Sequence, residues 1–238
     1  MDITASPAKK SILGLFAKHW TLGQVKTRLA AGIGATAAVR FHRHCVDVLL
    51  ERLKFIADTR VVYYWPPEHR EEFTQLGNGH WQFRPQMPGD LGTRMTAYFG
   101  DCFRAGFQRV LLLGTDSPSV PLPHIERALQ LLETRRLVLG PTDDGGYYLV
   151  GARSKIPPIF EAMPWSTPRL WPATLGQLEA KGWQRDVDYE LLSPWYDIDT
   201  ISDLKRLYRE LRAEAIGNEP LTDLRCYVET ALKLKPAS

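Results

Sequence analysis

Residues 109–118 read Arg-Val-Leu-Leu-Leu-Gly-Thr-Asp-Ser-Pro. The run from Val110 to Leu113 is continuously apolar, which predicts a strand buried on both faces, as in a mostly parallel sheet. Ligands of such sheets bind beyond the carboxyl ends of the strands. We therefore expect Asp116 to face a ligand, where its carboxylate could hold Mg²⁺ or Mn²⁺. A turn or a helix cap is the alternative role for this Asp-Ser-Pro sequence.

Strands and helices alternate on both sides of this stretch. Apolar runs predict further strands at 12–17, 60–65, 81–84, 137–139 and 147–150. Apolar residues at every third or fourth position predict helices at 38–53, 91–107, 121–132, 168–181 and 200–211. Another helix could open at Glu68, after Pro66 and Pro67 stop the preceding strand. This order predicts an α/β fold with a mostly parallel central sheet and helices on both faces.

Length and composition limit the class of protein. A chain of 238 residues with 44% hydrophobic residues fits one domain with a sizeable core. We place that domain at residues 1–216 and a C-terminal tail at 217–238, in which 222–234 could form a packed helix. Three cysteines without a Cys-x-x-Cys pair argue against a disulfide scaffold and a cysteine zinc site.

The charge balance and the hydropathy pattern exclude two classes. A net charge of +3 suits an anionic small substrate but is far from that of a dedicated nucleic-acid binder. No apolar stretch is long enough for membrane insertion, so we expect a cytoplasmic protein. The six histidines predict no metal cluster, because His42 and His44 are two positions apart on a helix and point in different directions. The oligomeric state is left open.

The loop after the first strand, residues 18–29, is basic. Gly23 would let the backbone approach a ligand closely, and Lys26 and Arg28 could contact phosphate oxygens. The spacing matches neither a Walker A motif nor Gly-x-Gly-x-x-Gly. A solvated basic loop before a helix is the alternative.

Residues 140–148 join two predicted strands and contain the sequence Asp143-Asp144-Gly145-Gly146. Asp143 or Asp144 could accept hydrogen bonds from sugar hydroxyls, and a tyrosine such as Tyr147 could cover a ring face. A plain hairpin turn at Asp144-Gly145 is the alternative.

Residues 195–204 contain the last polar cluster. Thr200 and Asp203 fit the Ser/Thr-x-x-acid pattern that begins a helix. Asp197 and Asp199 alternate upstream, so in an extended segment they share one face and could supply a second metal carboxylate. Spacing does not choose between metal binding and helix capping.

These motifs together resemble the DUF2064 family of bacterial proteins. The family is glycosyltransferase-A-like, of the rSAM/selenodomain-associated transferase 1 type, and is related to sugar and cofactor nucleotidyltransferases. The resemblance runs from Ile12 to Leu207. The motifs that carry it lie at 16–29, 89–95, 114–118, 139–148, 165–167 and 195–200. Trp20 and Leu22 depart from it, because the family commonly has prolines there.

The resemblance implies a GT-A fold and a role for each motif. Asp116 matches the metal-binding acid, Asp199 matches the second metal acid, and Asp197 is its near alternative. Nucleotide and phosphate binding would fall to Lys18, Gly23, Lys26, Thr27, Arg28, Gly89, Asp90 and Arg94. The sugar or acceptor would contact Gly145, Gly146, Tyr147, Trp165 and Trp195.

Three functions follow from these roles. The first is a metal-dependent glycosyltransferase with a nucleotide-sugar donor and a small-molecule acceptor, in which Asp116, Asp144 and Asp143 are the catalytic acids. The second is a nucleotidyltransferase that joins a nucleoside triphosphate to a phosphorylated small molecule and releases pyrophosphate. The third is a nucleotide-binding protein without catalytic activity.

Overall fold

A computed structural model describes residues 11–77, 79–214 and 219–233. Within these residues the chain forms seven strands in one sheet. The strands are β1 (Ser11–Lys18), β2 (Thr59–Trp65), β3 (Gln82–Pro85), β4 (Arg109–Gly114), β5 (Leu137–Pro141), β6 (Tyr147–Arg153) and β7 (Tyr189–Leu191). The predicted strands are confirmed. The three-residue strand β7 was not predicted.

The strand order positions a crevice. In the sheet the order is β3-β2-β1-β4-β6-β5-β7, and of these described strands only β6 runs antiparallel to its neighbours. Strands β1 to β3 extend the sheet in one direction, whereas β4 lies on the other side of β1. Such a reversal leaves a crevice beyond the carboxyl ends of β1 and β4, where ligands of open α/β sheets bind.

Helices connect most of the strands. The α-helices of the described residues are α1 (Thr27–Ile33), α2 (Ala35–Arg52), α3 (Arg70–Thr74), α4 (Leu91–Arg104), α5 (Leu122–Leu131), α6 (Leu170–Ala180), α7 (Ile201–Glu214) and α8 (Glu219–Lys233). The helix expected to open at Glu68 is instead a 3₁₀ turn, Pro67–His69, followed by the short α3. None of the described helices combines the length and the apolar character needed to cross a membrane.

Helices cover both faces of the sheet, as the continuous apolar strands predict. Along β1, Leu13 and Leu15 pack with Leu49 of α2 on one face. Ile12 packs with Phe99 of α4 on the other face. These side chains are fully buried. The mostly parallel α/β sheet is therefore confirmed.

Gly14 interrupts the apolar run of β1 because a ring needs its space. A Cβ atom at residue 14 would lie 2.6 Å from the ring of Tyr98. Tyr98 is buried, and its hydroxyl donates a hydrogen bond to the Leu111 carbonyl oxygen at 2.7 Å. The glycine thus lets α4 approach β1 closely.

A third core lies between α1, α2, α7 and α8. Leu224 and Val228 of α8 are fully buried there together with Phe41 and Leu207. Helix α8 overlaps the packed helix predicted within 222–234 and begins three residues earlier. The predicted boundary at Gly217 and the last predicted helical residue, Leu234, lie outside the described residues.

Candidate active site

A cleft of about 710 Å³ opens beyond the ends of β1 and β4. Its lining includes four acids, Asp116, Asp144, Asp197 and Asp199, and the basic Arg28. Apolar and aromatic side chains complete it: Phe16, Leu91, Met95, Tyr147, Trp165 and Leu170. Charged groups on one apolar-lined cleft are typical of a small-molecule site.

The chain brings distant acids together at the end of β4. The amide of Ile198 donates a hydrogen bond to the carbonyl oxygen of Asp116 at 2.9 Å. Upstream, the amide of Trp195 donates to Pro141 at 3.0 Å, so the segment continues alongside the end of β5. Asp197 and Asp199 therefore reach the same cleft as Asp116.

The side chain of Lys26 joins two of these acids. Its ammonium group contacts Asp116 Oδ1 and lies 3.1 Å from Asp199 Oδ1. Arg28 Nη2 donates to the other oxygen of Asp199 at 2.5 Å. The Lys26 side chain is only 2% exposed, whereas those of Asp116 and Asp199 are 45% and 32% exposed. The acids thus face the cleft with a buried cation behind them.

Lys26 and Asp116 keep each other ionised through their opposite charges. Burial alone would lower the pKa of Lys26, but the carboxylates of Asp116 and Asp199 outweigh it and raise the pKa above its ordinary value. Burial alone would raise the pKa of Asp116, but the charges of Lys26 and His42 hold it below its ordinary value. Asp116 is therefore a carboxylate at neutral pH.

Asp197 behaves differently. Burial and then the neighbouring charge of Asp116 raise the pKa of Asp197 to about 7, against an opposing hydrogen bond from Ser117. The Ser117 hydroxyl donates to Asp197 Oδ1 at 2.6 Å. Asp197 therefore keeps its proton to a higher pH than an ordinary aspartate does, and a second cation in the cleft would favour its ionised form.

Local backbone geometry directs Lys26 inward. Lys26 precedes α1 in the left-handed conformation, with φ 49°, and Gly23 has φ 76°. The Lys18 ammonium group donates to the carbonyl oxygen of Gln24 at 2.8 Å and so fastens the loop to the end of β1. Thr27 is the first residue of α1. Among the predicted phosphate-binding residues of this loop, the structure places Arg28 on the cleft lining and Lys26 behind it.

The predicted nucleotide-binding residues Gly89, Asp90 and Arg94 lie around the start of α4. Asp90 accepts a hydrogen bond from the Thr93 amide at 2.8 Å at the start of α4. Arg94 Nε donates to the Gly89 carbonyl oxygen at 2.9 Å, and its guanidinium lies 4.2 Å from the centre of a Trp65 ring. Gly89, Asp90 and Arg94 lie outside the cleft lining, which Leu91 and Met95 of the same segment contact.

Asp143 and Asp144, the two acids of the loop at 140–148, have different surroundings. Asp144 lines the cleft, and its Oδ1 accepts hydrogen bonds from the Thr142 hydroxyl at 2.6 Å and the Gly146 amide at 3.2 Å. Asp143 instead pairs with Arg206 of α7 at 2.7 Å and lies outside that lining. Gly146 lines the cleft, whereas Gly145 lines an adjoining groove.

The aromatic residues also divide. Tyr147 and Trp165 line the cleft. Trp195 lies outside its lining and packs against His124 and Tyr196, with ring centroids 5.8 and 5.3 Å apart. Sequence reasoning did not assign a binding role to the cleft residues Phe16 and Met95, although Phe16 lies near the end of the first apolar run. Phe16 lies between the buried Leu15 and Ala17, so its side chain points to the opposite face of the sheet. This two-residue alternation is the sequence signal that could have identified it.

A histidine cluster lies beside the loop after β1, contrary to the expectation of none. His19 Nε2 lies 2.6 Å from Glu72 Oε2, and His69 Nδ1 lies 2.8 Å from Glu72 Oε1. The three potential ligand atoms lie within 4.8 Å of one another. The expectation considered only His42 and His44 on one helix, but folding brings together residues 50 positions apart.

Residues 49–167 match a family described as an uncharacterized protein conserved in bacteria, DUF2064. The chain belongs to the DUF2064 family. No curated protein matches the sequence.

Solved structures with the same fold are known. One from Desulfovibrio desulfuricans G20, provisionally described as a nucleotide-diphospho-sugar transferase, is 28% identical. It matches over 94% of this DUF2064 chain and 98% of its own, with a TM-score of 0.82. The predicted GT-A, or nucleotide-diphospho-sugar transferase, fold is therefore confirmed.

More distant structures share the fold alone. A cytidylyltransferase from Leptospira borgpetersenii is 13% identical over 97% of this chain and 98% of its own, with a TM-score of 0.54. A 4-diphosphocytidyl-2C-methyl-D-erythritol synthase from Anaerococcus prevotii is 12% identical over 93% and 99%, with a TM-score of 0.53. Structures described as a cytidylyltransferase, and provisionally as a sugar transferase, thus share this architecture.

Proposed function

We propose that this DUF2064 protein is a metal-dependent glycosyltransferase that uses a nucleotide-sugar donor and a small-molecule acceptor. The observation that carries the proposal is the pair of carboxylates, Asp116 and Asp199, that share the Lys26 ammonium group at the mouth of one cleft. The 28% identity to a provisionally described nucleotide-diphospho-sugar transferase over nearly the whole chain supports the same reaction class.

The acids of the cleft fit Mg²⁺ or Mn²⁺. Both ions prefer oxygen ligands, and Mg²⁺ usually takes one or two carboxylates together with water and substrate phosphates. Asp116 and Asp199 offer such a pair, which already attracts one cation, the Lys26 ammonium. Asp197 is the near alternative to Asp199. A bound ion would neutralise the diphosphate of the donor and so stabilise the leaving nucleoside diphosphate.

Lys26 and Arg28 supply the remaining positive charge. Arg28 is 68% exposed and can turn its guanidinium from Asp199 toward a phosphate, which it would bind through two parallel hydrogen bonds. Lys26 is buried and acts as a fixed point charge beside the acids. Arg28 would hold the donor phosphates, while the two acids bind the metal ion and Lys26 balances their negative charge.

Of the two proposed catalytic acids in the loop at 140–148, Asp144 is better placed to reach a substrate in the cleft. It lines the cleft, and hydrogen bonds from Thr142 and Gly146 fix its orientation, so it could accept the proton of an acceptor hydroxyl. Asp143 is engaged by Arg206 and would first have to leave that salt bridge. Tyr147 and Trp165 would pack against the apolar face of a sugar ring.

A nucleotidyltransferase is the second candidate, and one observation favours it. Two cations, Lys26 and Arg28, follow the first strand at the edge of the cleft, where they could stabilise a triphosphate during attack on its α-phosphate. A binding protein without turnover is the third candidate.

Product analysis separates these functions. The protein would be incubated with Mg²⁺ or Mn²⁺ and UDP-, GDP-, ADP- or dTDP-sugars, and separately with triphosphates and sugar phosphates. We expect acceptor-dependent release of one nucleoside diphosphate, and we expect Asp116→Asn to abolish it. The control Asp186→Asn, which alters an exposed acid outside the cleft lining, should retain it. Pyrophosphate release instead would establish the nucleotidyltransferase. Nucleotide binding without formation of either product would support the third candidate, a binding protein without catalytic activity.

A further inference from the structure

His19, His69 and Glu72 form a compact set of nitrogen and oxygen donors. His19 follows β1, His69 ends the 3₁₀ turn after β2, and Glu72 lies in α3. Each imidazole contacts a different oxygen of the one carboxylate, at 2.6 and 2.8 Å. Strands β1 and β2 are parallel neighbours, so the segments that follow their carboxyl ends lie side by side. These segments carry His19 after β1, and His69 and Glu72 after β2.

The second nitrogen of His19 also has a partner. His19 Nδ1 lies 2.7 Å from the hydroxyl oxygen of Thr21. Histidines that bind metals commonly donate their other ring N–H to such an oxygen, which fixes the tautomer and the orientation of the ring. Without metal, Nε2–H donates to the Glu72 carboxylate, and a bound ion would replace that proton while Nδ1–H donates to the Thr21 hydroxyl oxygen.

We propose that His19, His69 and Glu72 bind one Zn²⁺ ion. Two imidazoles and one carboxylate are a donor set that Zn²⁺ accepts in proteins, with water in the remaining position. Magnesium prefers oxygen ligands, so the nitrogen donors distinguish this cluster from the acids of the cleft. None of the three residues lines that cleft, and the proposal does not depend on the proposed function.

The cluster can open to admit an ion. Zn–N and Zn–O distances of about 2.0–2.2 Å require the donors to separate slightly from their present hydrogen-bonding distances. The imidazole rings of His19 and His69 are parallel, with centroids 3.5 Å apart, and one ring must tilt to aim its lone pair at the ion. His69 and Glu72 have side chains 26% and 47% exposed, whereas His19 is only 7% exposed. The two exposed ligands can therefore move toward the fixed one.

A zinc ion here would connect two segments of the chain. It would connect α3 to the loop after β1, which continues through Thr21 to Lys26 at the cleft. Trp20 in this loop already packs against Phe73 of α3, with ring centroids 5.0 Å apart. The ion would hold the same two segments together from their polar side.

The test measures binding of the metal alone to chelator-treated full-length protein. Co²⁺, whose visible absorption reports its coordination, would be titrated first, and Zn²⁺ would then displace it. The variants are His69→Ala and Glu72→Gln. Their matched controls are His80→Ala and Glu71→Gln, which remove a histidine and an acid outside the cluster. Circular dichroism of each chelator-treated variant verifies folding.

We expect one Co²⁺ per chain, with affinity lowered at least about tenfold in Glu72→Gln and unchanged in Glu71→Gln. Zinc should raise the melting temperature of the wild type and not that of His69→Ala. Absence of Co²⁺ or Zn²⁺ binding by the wild type would overturn the proposal. Equal binding by Glu72→Gln, or binding abolished only by Asp116→Asn, would also overturn it and would assign the ion to the acidic cleft.

Discussion

The ammonium group of Lys26 lies 3.1 Å from Asp199 Oδ1 and also contacts Asp116, so one buried cation balances both proposed metal ligands. A divalent ion bound by these acids would have to share them with Lys26 or displace it. Metal affinity in the absence of nucleotide is therefore held down by a charge of the protein itself.

Replacement of Lys26 tests this competition. In Lys26→Met the two carboxylates lose their resident cation, and we expect Mn²⁺ to bind at least about tenfold more tightly without nucleotide, a change of about 1.4 kcal/mol. Mn²⁺ titration by calorimetry measures the change. Lys155→Met, which removes an exposed lysine outside the cleft lining, is the control. Unchanged or weaker Mn²⁺ binding in Lys26→Met would exclude the competition.

The raised pKa of Asp197 predicts how stability changes with pH. Its folded-state pKa of about 7 lies above the ordinary 3.8, so the folded protein binds the proton more tightly than the unfolded chain. The resulting stabilisation is complete below about pH 4 and is lost as the pH rises through 7. In urea unfolding without metal, the free energy of unfolding of the wild type should fall over this pH range relative to that of Asp197→Asn. Parallel pH profiles would contradict the raised pKa.

Two glycines should respond in opposite directions to alanine. Gly14→Ala places a Cβ 2.6 Å from the buried Tyr98 ring and should destabilise the fold by about 1–3 kcal/mol. Gly176 lies in α6, where an added methyl group would meet no neighbouring atom within 4 Å, so Gly176→Ala should stabilise the fold by about 0.5–1 kcal/mol. Denaturant unfolding of both variants measures these changes, and a neutral Gly14→Ala would show that α4 does not pack closely on β1.

Helix α8 should be required for stability. Leu224 is fully buried, and Leu224→Ala should lower the free energy of unfolding by about 2–5 kcal/mol. Leu22→Ala, at a side chain that is 61% exposed, should change it by less than about 0.5 kcal/mol. Thermal or denaturant unfolding compares the two variants. Equal stability would mean that α8 does not pack on the domain in solution.

The sheet could be predicted because its strands are continuous apolar runs, such as Val110 to Leu113. Strand β7 could not, because its three residues are only partly buried and form no pattern. Helix α1 was not predicted, and its first residues fall within the predicted loop 18–29. Lys26 precedes the helix without a capping side chain, and no acid occupies its first turn. Short elements that tertiary contacts stabilise leave little local signal.

The site was predictable to the level of its loops but not of its contacts. Asp197 and Asp199, whose alternation predicts a shared face, both line the cleft. The capping pair Thr200–Asp203 is present, with the Thr200 amide 2.8 Å from Asp203 Oδ2. The pairing of Asp143 with Arg206 and the histidine cluster depend on residues far apart in sequence. Spacing alone carries no information about such pairs.

Metal-dependent nucleotide binding by wild type and Asp116→Asn tests the central claim most directly. Calorimetry would measure nucleoside diphosphate and nucleotide-sugar binding with Mn²⁺ and with chelator, with Asp186→Asn as the control. We predict binding that needs Mn²⁺, weakened at least about tenfold in Asp116→Asn and unchanged in Asp186→Asn. Nucleotide binding that is equally tight without metal, or equally tight in Asp116→Asn, would contradict a metal-nucleotide site at this cleft.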